Sequence, residues 1–360
     1  MPINIVDLFS GIGGLSYAFA NDPLFNIVFA NEIDHDTAKA YSLNHPKIKM
    51  FCKNIADLNI DKMNIEKDNI DVVLGGPPCQ SFSTAGKRLE SDPRRQLFKE
   101  YIRMLKELSP KIFLFENVVG IQSIQKGQFF QNILQEFSEL GYNIKYQVLN
   151  AADYGTPQIR KRVIIVGTKN KYQFAFPQPT HSENNNDINI KPYVTLKEAI
   201  GDLPFIKTGQ ITTDYKTNPF TEYQRKMRAN TSILLEHSAP NNNPNLVKIM
   251  ELLPEGGTPL DLPDQLRPTS GFGNTYSKLW WNKACTTITR NFSTPSSARC
   301  IHPKAPRPLT TREGARIQGF PDSYLFYGSQ SKKKLQIGNA VPTMLSYALK
   351  ESIKQCLLLK

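Results

Sequence analysis

The 360-residue chain predicts an α/β protein, with a mostly parallel sheet carrying helices on both faces and a second, smaller domain. Three observations carry this expectation. Short β-branched apolar runs alternate with amphipathic stretches through the first part of the sequence. The chain opens with a strand, a glycine turn and a helix, and an acidic residue closes the next strand. After about residue 170 the alternation fades, prolines recur at Pro177, Pro179, Pro192 and Pro204, and asparagines cluster in Asn184-Asn185-Asn186 and Asn241-Asn242-Asn243.

Ile3-Asn4-Ile5-Val6-Asp7-Leu8-Phe9 reads as the first strand, Ser10-Gly11-Ile12-Gly13-Gly14-Leu15 as the turn, and Ser16-Tyr17-Ala18-Phe19-Ala20 as the start of a helix. Such a unit frees backbone N–H groups at the helix start for a nucleotide. A plain tight turn has the same glycines, so the support comes from Ile27-Val28-Phe29-Ala30, a second strand ending in Asn31-Glu32. A carboxylate there accepts hydrogen bonds from both hydroxyls of a ribose. Asp36 to Leu43 looks helical, Ile70-Asp71-Val72-Val73-Leu74 is a buried strand, Leu97 to Leu108 is an amphipathic helix, and Ile112-Phe113-Leu114-Phe115 is another buried strand. Phe129 to Leu140 reads as a helix closed by Gly141, followed by strands at Tyr146-Gln147-Val148-Leu149 and Val163-Ile164-Ile165-Val166-Gly167.

Three places on this scaffold carry chemistry. Gly75-Gly76-Pro77-Pro78 stops the strand at 70–74 and fixes a turn, which sets the thiol of Cys79 at the head of the polar loop Gln80-Ser81-Phe82-Ser83. An isolated cysteine is usually a small buried hydrophobe; the flanking glycines and prolines argue otherwise here. Glu116, in Glu116-Asn117-Val118, stands at the carboxyl end of a strand, on the ligand-binding rim of an open sheet; a helix N-cap or a solvated loop residue is the less favoured alternative. Alternation in Arg160-Lys161-Arg162 puts both arginines on one strand face, and they require an anionic or polar partner unless that edge is solvated.

A formal net charge of +12 makes nucleic acid or an anionic membrane the natural partner. No apolar run approaches the ~18 residues of a membrane span, and the N-terminus enters a strand directly, so a cytoplasmic protein without membrane association is expected. The five cysteines, Cys52, Cys79, Cys285, Cys300 and Cys356, include no Cys-x-x-Cys pair, which argues against a zinc site and a disulfide framework. No metal is expected. In the second domain Thr195 caps one credible helix, Leu196-Lys197-Glu198-Ala199-Ile200. Farther on, Gly271-Phe272-Gly273-Asn274-Thr275-Tyr276 leads to Trp280-Trp281 and Thr286-Thr287-Ile288-Thr289-Arg290, a texture that suits contact with bases and phosphates and equally a loop-rich β core. Lys332-Lys333-Lys334 reads as a solvated turn.

These motifs resemble those of the DNA (cytosine-5) methyltransferase family, in particular the bacterial type II restriction-modification methylases. The resemblance spans almost the whole chain in the family's order: Asp7-Leu8-Phe9-Ser10-Gly11-Ile12-Gly13-Gly14, Asn31-Glu32, Gly76-Pro77-Pro78-Cys79-Gln80-Ser81-Phe82-Ser83, Glu116-Asn117-Val118 and Gln158-Ile159-Arg160-Lys161-Arg162. It closes with Arg307 to Pro321 and with Gln336-Ile337-Gly338-Asn339-Ala340-Val341-Pro342. It implies a class I S-adenosylmethionine-dependent, Rossmann-like catalytic domain over residues 1–172, a target-recognition domain over 173–305, and a C-terminal segment, 306–360, that returns to the catalytic domain.

The resemblance also implies the chemistry. Cys79 would add to C6 of a cytosine flipped out of a specific double-stranded DNA sequence, because C5 is a poor nucleophile until a thiolate pushes electron density toward it. Glu116 would contact N3 and the exocyclic amine. Arg160 and Arg162 would bind the ring carbonyl and steady the cysteine loop, and Ser83 to Arg88 would close over the base. S-adenosyl-L-methionine would lie against Phe9, Gly11, Ile12, Gly14, Glu32, Ile33, Asn54, Ile55, Pro78, Leu97, Asn339 and Val341. Gln80, Ser83, Arg88, Arg290 and Arg299 are the candidate DNA contacts. A monomer is expected, with a cognate restriction endonuclease acting on the same site without being bound.

Two departures from the family pattern stand out. Asn54 replaces the usual acidic residue before Ile55, and Asp92-Pro93-Arg94-Arg95 replaces Asp-Ser-Arg-Gly. Three other functions compete. A nicotinamide dehydrogenase would share the glycine turn and Glu32 but has no use for Pro78-Cys79-Gln80 or Glu116. A silent DNA-binding regulator would not need both nucleophile and acid. RNA cytosine-5 methylation is the serious alternative, and the long stretch between Arg162 and Arg307 favours duplex DNA over it.

Overall fold

The computed structural model describes residues 2–63, 65–78, 93–183, 188–268 and 274–358. The chain forms two compact units: Met1–Asn150 with Lys161–Gln178 and Leu345–Lys360, and Ala151–Arg160 with Pro179–Met344.

In the first unit the elements follow the alternation of the sequence: β1 (Ile3–Leu8), α1 (Tyr17–Ala20), β2 (Phe25–Glu32), α2 (His35–Asn44), β3 (Lys49–Cys52), β4 (Val72–Gly75), α3 (Pro93–Leu108), β5 (Ile112–Val118), α4 (Gln128–Glu139), β6 (Asn143–Asn150) and β7 (Lys161–Thr168). The seven strands lie in the order β3-β2-β1-β4-β5-β7-β6. Strands β1 to β5 are parallel, whereas β7 runs antiparallel to both β5 and β6. The sheet is therefore mostly parallel, as expected, with a reversed strand inserted near one edge. Strand β4 is buried throughout, which is why it reads as an uninterrupted apolar run.

The core of this unit is aromatic. Phe98 and Tyr101 of α3, Phe113 and Phe115 of β5 and Phe137 of α4 pack edge-on or tilted, with Phe113 and Phe137 centroids 4.5 Å apart. The Tyr101 hydroxyl donates to the Leu114 carbonyl at 3.1 Å, so its buried polar end is satisfied.

The second unit carries β8 (His181–Ser182), β9 (Lys191–Pro192), α5 (Leu196–Ile200), α6 (Glu222–Arg228), α7 (Pro244–Leu252), β10 (Ser277–Lys278), β11 (Arg299–Ile301), α8 (Thr311–Ile317) and α9 (Gln330–Asn339). Thr195 caps α5 in a capping box with Glu198, as its position predicts. Helices α6 and α7 add to the single helix expected there, and their signals are present: Thr221 with Gln224 forms a capping box, and Asn243 caps a helix that starts with Pro244.

Buried charge organises this unit. Arg307 makes a bidentate pair with Glu313 at 2.8 and 2.7 Å, while Arg316 lies between Asp322 and Asp202. Burial alone would push the Glu313 carboxyl up, but the Arg307 guanidinium more than offsets this and holds it well below the usual range. The last helix, α10 (Thr343–Leu358), belongs to the first unit from Leu345 onward. There the Ser346 hydroxyl accepts from the Ala18 amide at 3.1 Å and donates to the Leu15 carbonyl, fixing the start of α1. Residues 306–344, including α8 and α9, lie in the second unit, so the segment joining the first is shorter than the 306–360 expected from sequence.

Candidate active site

Parallel strands bring their carboxyl ends to one row. Leu8 pairs with Asn31 on one side and Gly75 on the other, and Gly75 pairs with Phe115, so Glu32, Phe9, Gly76 and Glu116 follow one another along this rim.

At one end of the rim, the Glu32 carboxylate accepts from the Gly11 amide at 3.1 Å and from the Asp34 amide at 2.9 Å. Burial raises its pKa, against the opposing pull of the Asp34, Gly11 and Ile33 amides. Phe9 and Gly11 both have positive φ, 54° and 56°, and a Cβ at Gly11 would meet nothing within 4 Å. The turn is thus open at Gly11, beside an acid able to accept from ribose hydroxyls. Ile33 is 66% exposed next to this acid and offers an apolar surface to an adenine. These features fit an adenosyl cofactor.

The other expected cofactor residues vary in placement. Ile12 and Gly14 are buried within the turn. Asn54 caps the short helical turn at Ile55–Asp57 by accepting from the Ala56 amide at 3.1 Å, a role its amide oxygen fills without charge. The Ile55 side chain is core, and its carbonyl accepts from Arg103 at 2.8 Å. Pro78 is exposed and Leu97 partly buried. In the second unit Asn339 is exposed and Val341 is buried.

At the other end of the rim, Glu116 pairs with Arg162, Nε to Oε1 at 2.8 Å, both side chains being 12% exposed. The reversal of β7 produces this pair, because Val118 near the end of β5 lies opposite Arg162 near the start of β7. A Cβ at Gly76 would come within 3.0 Å of Glu116 Oε2, so the absence of a side chain makes room for the carboxylate. Asn117 donates from its side-chain amide to the Pro77 carbonyl at 3.0 Å, tying the end of β5 to the turn that leads to Cys79. Cys79, Gln80, Ser83 and Arg88, and the loop from Ser83 to Arg88, lie outside the described residues.

Arg160 and Arg162 are employed differently. Strand β7 begins at Lys161, and Arg160, in the second unit, donates from Nη1 to the Ile288 carbonyl and from Nη2 to the Gly338 carbonyl, both at 2.8 Å. Among the DNA-contact candidates, Arg290 is exposed. Arg299 stacks over Trp280 at 4.4 Å, and its Nη1 donates to the Gly256 and Lys278 carbonyls at 2.9 and 2.6 Å. Of Gly271 to Tyr276, the first three residues lie outside the described residues.

Three residues around the rim escaped the sequence reading. Asn117 sits inside a quoted motif, but nothing local shows that its amide reaches back to Pro77. Asn31 ties the ends of β2 and β3 by donating to the Phe51 and Lys53 carbonyls, both at 2.9 Å. Asp7 is fully buried in β1, and its carboxyl is raised to about 7, first by burial and further by Glu32, with a hydrogen bond from Ser16 opposing. An acidic residue within a largely apolar strand is the one signal that could have flagged it.

A parallel sheet with one inserted reversed strand, an acid at the end of β2 beside an open glycine turn, and a carboxylate–arginine pair farther along the rim define a class I S-adenosylmethionine-dependent methyltransferase. The chain belongs to the C-5 cytosine-specific DNA methylase family, which it matches over residues 3–355, and is a DNA (cytosine-5)-methyltransferase. It is 34% identical to the type II methyltransferase M1.HphI of Haemophilus parahaemolyticus, over 98% of this chain and 87% of that protein. It is 35% identical to M.DdeI of Desulfomicrobium norvegicum, over 98% and 88% of the two chains. A crystal structure of an Escherichia coli prophage protein assigned to the DNA modification methyltransferases superposes with a TM-score of 0.79 at 26% identity, covering 99% of each chain.

Proposed function

We propose that Cys79, Glu116 and Arg162 methylate C5 of a cytosine flipped out of a specific duplex DNA sequence. The Glu116–Arg162 pair carries the reading, set on the rim beside Gly76, after which Pro77 and Pro78 lead in sequence to Cys79. The Cys79 thiolate adds to C6, and the electron pair of the C5–C6 bond moves toward C5 and the ring carbonyl. Glu116, at N3 and the exocyclic amine, and Arg162, at the carbonyl oxygen, take up the developing charge and identify the base as cytosine. When bound, S-adenosylmethionine would supply the electrophilic methyl group; the Glu32 carboxylate and the glycine turn would hold its ribose, and the family resemblance also assigns Asn339 and Val341 to it. C5 would take that methyl group as the methyl–sulfur bond breaks and the neutral thioether leaves; the C5 proton then passes to water, the C6–S bond breaks, and the thiolate and the aromatic ring are restored.

The relatives named as type II methyltransferases support a restriction-modification setting. The enzyme acts as a cytoplasmic monomer and protects host sites from an endonuclease that it does not bind. Among the described residues no helix is long and apolar enough to cross a membrane. Duplex DNA carrying 5-fluorocytosine at the target tests the mechanism, because fluorine cannot depart as the proton does. Trapping of DNA on Cys79, and loss of both trapping and turnover in Cys79→Ser with cofactor binding retained, are expected. Mass spectrometry finding the adduct on another cysteine would sink the assignment. Bisulfite sequencing of DNA from cells expressing the protein identifies the methylated site, and methylation of RNA but not DNA would overturn the choice of substrate.

A further inference from the structure

Gln158 and Arg160 lie in the second unit and are buried, at 0% and 1% exposure. Gln158 accepts from the Ile288 amide at 3.1 Å and donates to the Ile317 carbonyl at 3.1 Å and to Gln318 Oε1 at 2.6 Å. Gln318 in turn donates to the Ile337 and Ala340 carbonyls at 2.7 and 3.0 Å. Arg160 completes the set with its bonds to the Ile288 and Gly338 carbonyls. At the end of α9 the Ile337, Gly338 and Ala340 carbonyls thus accept from two buried side chains, one of them cationic, and the Ile337 carbonyl also accepts from the Ala340 amide at 3.2 Å. On another side, a Cβ at Gly338 would lie 2.4 Å from the Arg290 amide nitrogen and the Thr289 carbonyl carbon, so the backbone at 289–290 abuts the turn directly.

This arrangement grips Ile337, Gly338 and Ala340 and leaves Asn339 facing outward. We propose that Gln158, Arg160 and Gln318 are positioning residues that brace the Gly338–Val341 turn for S-adenosylmethionine, so that Arg160 acts on cofactor binding and not on the target base. The inference rests on the reading that Asn339 and Val341 bind the cofactor. A guanidinium supplies two rigid donors to two carbonyls, which lysine cannot match, and the loss of the bond to Gly338 frees the backbone on which Asn339 is carried.

The test is calorimetric titration of the full-length protein with S-adenosylmethionine in the absence of DNA, with circular dichroism to check folding. Arg160→Ala is expected to weaken cofactor binding at least tenfold and Arg160→Lys by less; at saturating cofactor, Arg160→Ala should regain most of its kcat with an unchanged KM for DNA. Normal cofactor affinity in Arg160→Ala, together with a fall in kcat or a rise in the DNA KM, would overturn the proposal and place Arg160 at the base. Asn339→Ala separates the two levels: normal cofactor affinity in that variant removes the underlying reading, and the proposal with it. Should Arg160→Ala fail to fold, Gly338→Ala carries the test, since its methyl group pushes the turn off the 289–290 backbone. Weaker cofactor binding supports the brace, and unchanged binding overturns it.

Discussion

Arg162 reaches Glu116 only because β7 runs against β5, so a residue near the start of one strand meets one near the end of the other. An interaction aimed at charge that develops during reaction is worth roughly 10²–10³-fold in rate. Arg162→Ala is therefore expected to lower single-turnover methyl transfer by about that factor while leaving S-adenosylmethionine affinity unchanged; an unaltered rate would remove Arg162 from the mechanism. Asp7 makes a different prediction. Its carboxyl is raised to about 7 by burial, so its neutral form is preferred in the fold and its contribution is lost as pH rises from the ordinary value of 3.8 through 7. Each pKa unit corresponds to about 1.4 kcal/mol. Asp7→Asn should accordingly raise the thermal midpoint of the cofactor-free protein more at pH 8 than at pH 5, and an equal effect at both would show that Asp7 does not titrate in this range. At this scale Glu32 and Glu116 were legible from their places after apolar strands, whereas the partner of each was not.

At the scale of elements, the periodicity of α3 and α4 foretold two helices but not the joint they form. Phe137 is fully buried, with its ring against Phe98, Tyr101, Phe113 and Phe115. Truncating such a side chain leaves a cavity that surrounding rings cannot fill, at a cost of about 3–5 kcal/mol. Phe137→Ala should show that loss in urea unfolding of the chain, and a loss below ~1 kcal/mol would mean the aromatic cluster can collapse around the gap. In the second unit, Thr221 with Gln224 and Asn243 with Pro244 mark helices as clearly as Thr195 does. Prolines and asparagines around them mask the apolar period, although capping is a local backbone matter that needs no such period.

For the whole molecule, the extent of the second unit bears on how sequence preference is exchanged. Residues of about 175–305 are the long stretch free of the family's motifs, and replacing them with the equivalent segment of another cytosine-5 DNA methyltransferase is expected to change the sequence methylated without changing the chemistry at C5. Arg316 lies beyond that stretch, yet it pairs with Asp202 inside it, and Arg228 pairs with Asp202 as well. A hybrid lacking an acid at that position buries a cation with one partner removed, a loss of about 3–5 kcal/mol. Hybrids that keep an acid there should fold and methylate a new site on bisulfite sequencing, and those without it should melt earlier. An active hybrid that still methylates the original site would place recognition outside the exchanged segment.

The alternation of apolar runs and amphipathic stretches determined the sheet class, because burial on both faces or on one leaves a period that is local to each segment. The glycine turn with Glu32, the Gly-Gly-Pro-Pro turn before Cys79 and the carboxylate near the end of β5 were equally local, since backbone conformation and strand ends are written in neighbouring residues. The tertiary structure alone decided the reversed insertion of β7, which makes Arg162 a partner of Glu116 and separates its work from that of Arg160 two residues away. It also decided that Asn117 holds Pro77 and that Arg316 belongs with Asp202. These are pairings between groups distant in sequence. A side chain's type says that it needs a partner when buried, but which partner it finds depends on how strands are ordered and helices returned, and no local pattern carries that information.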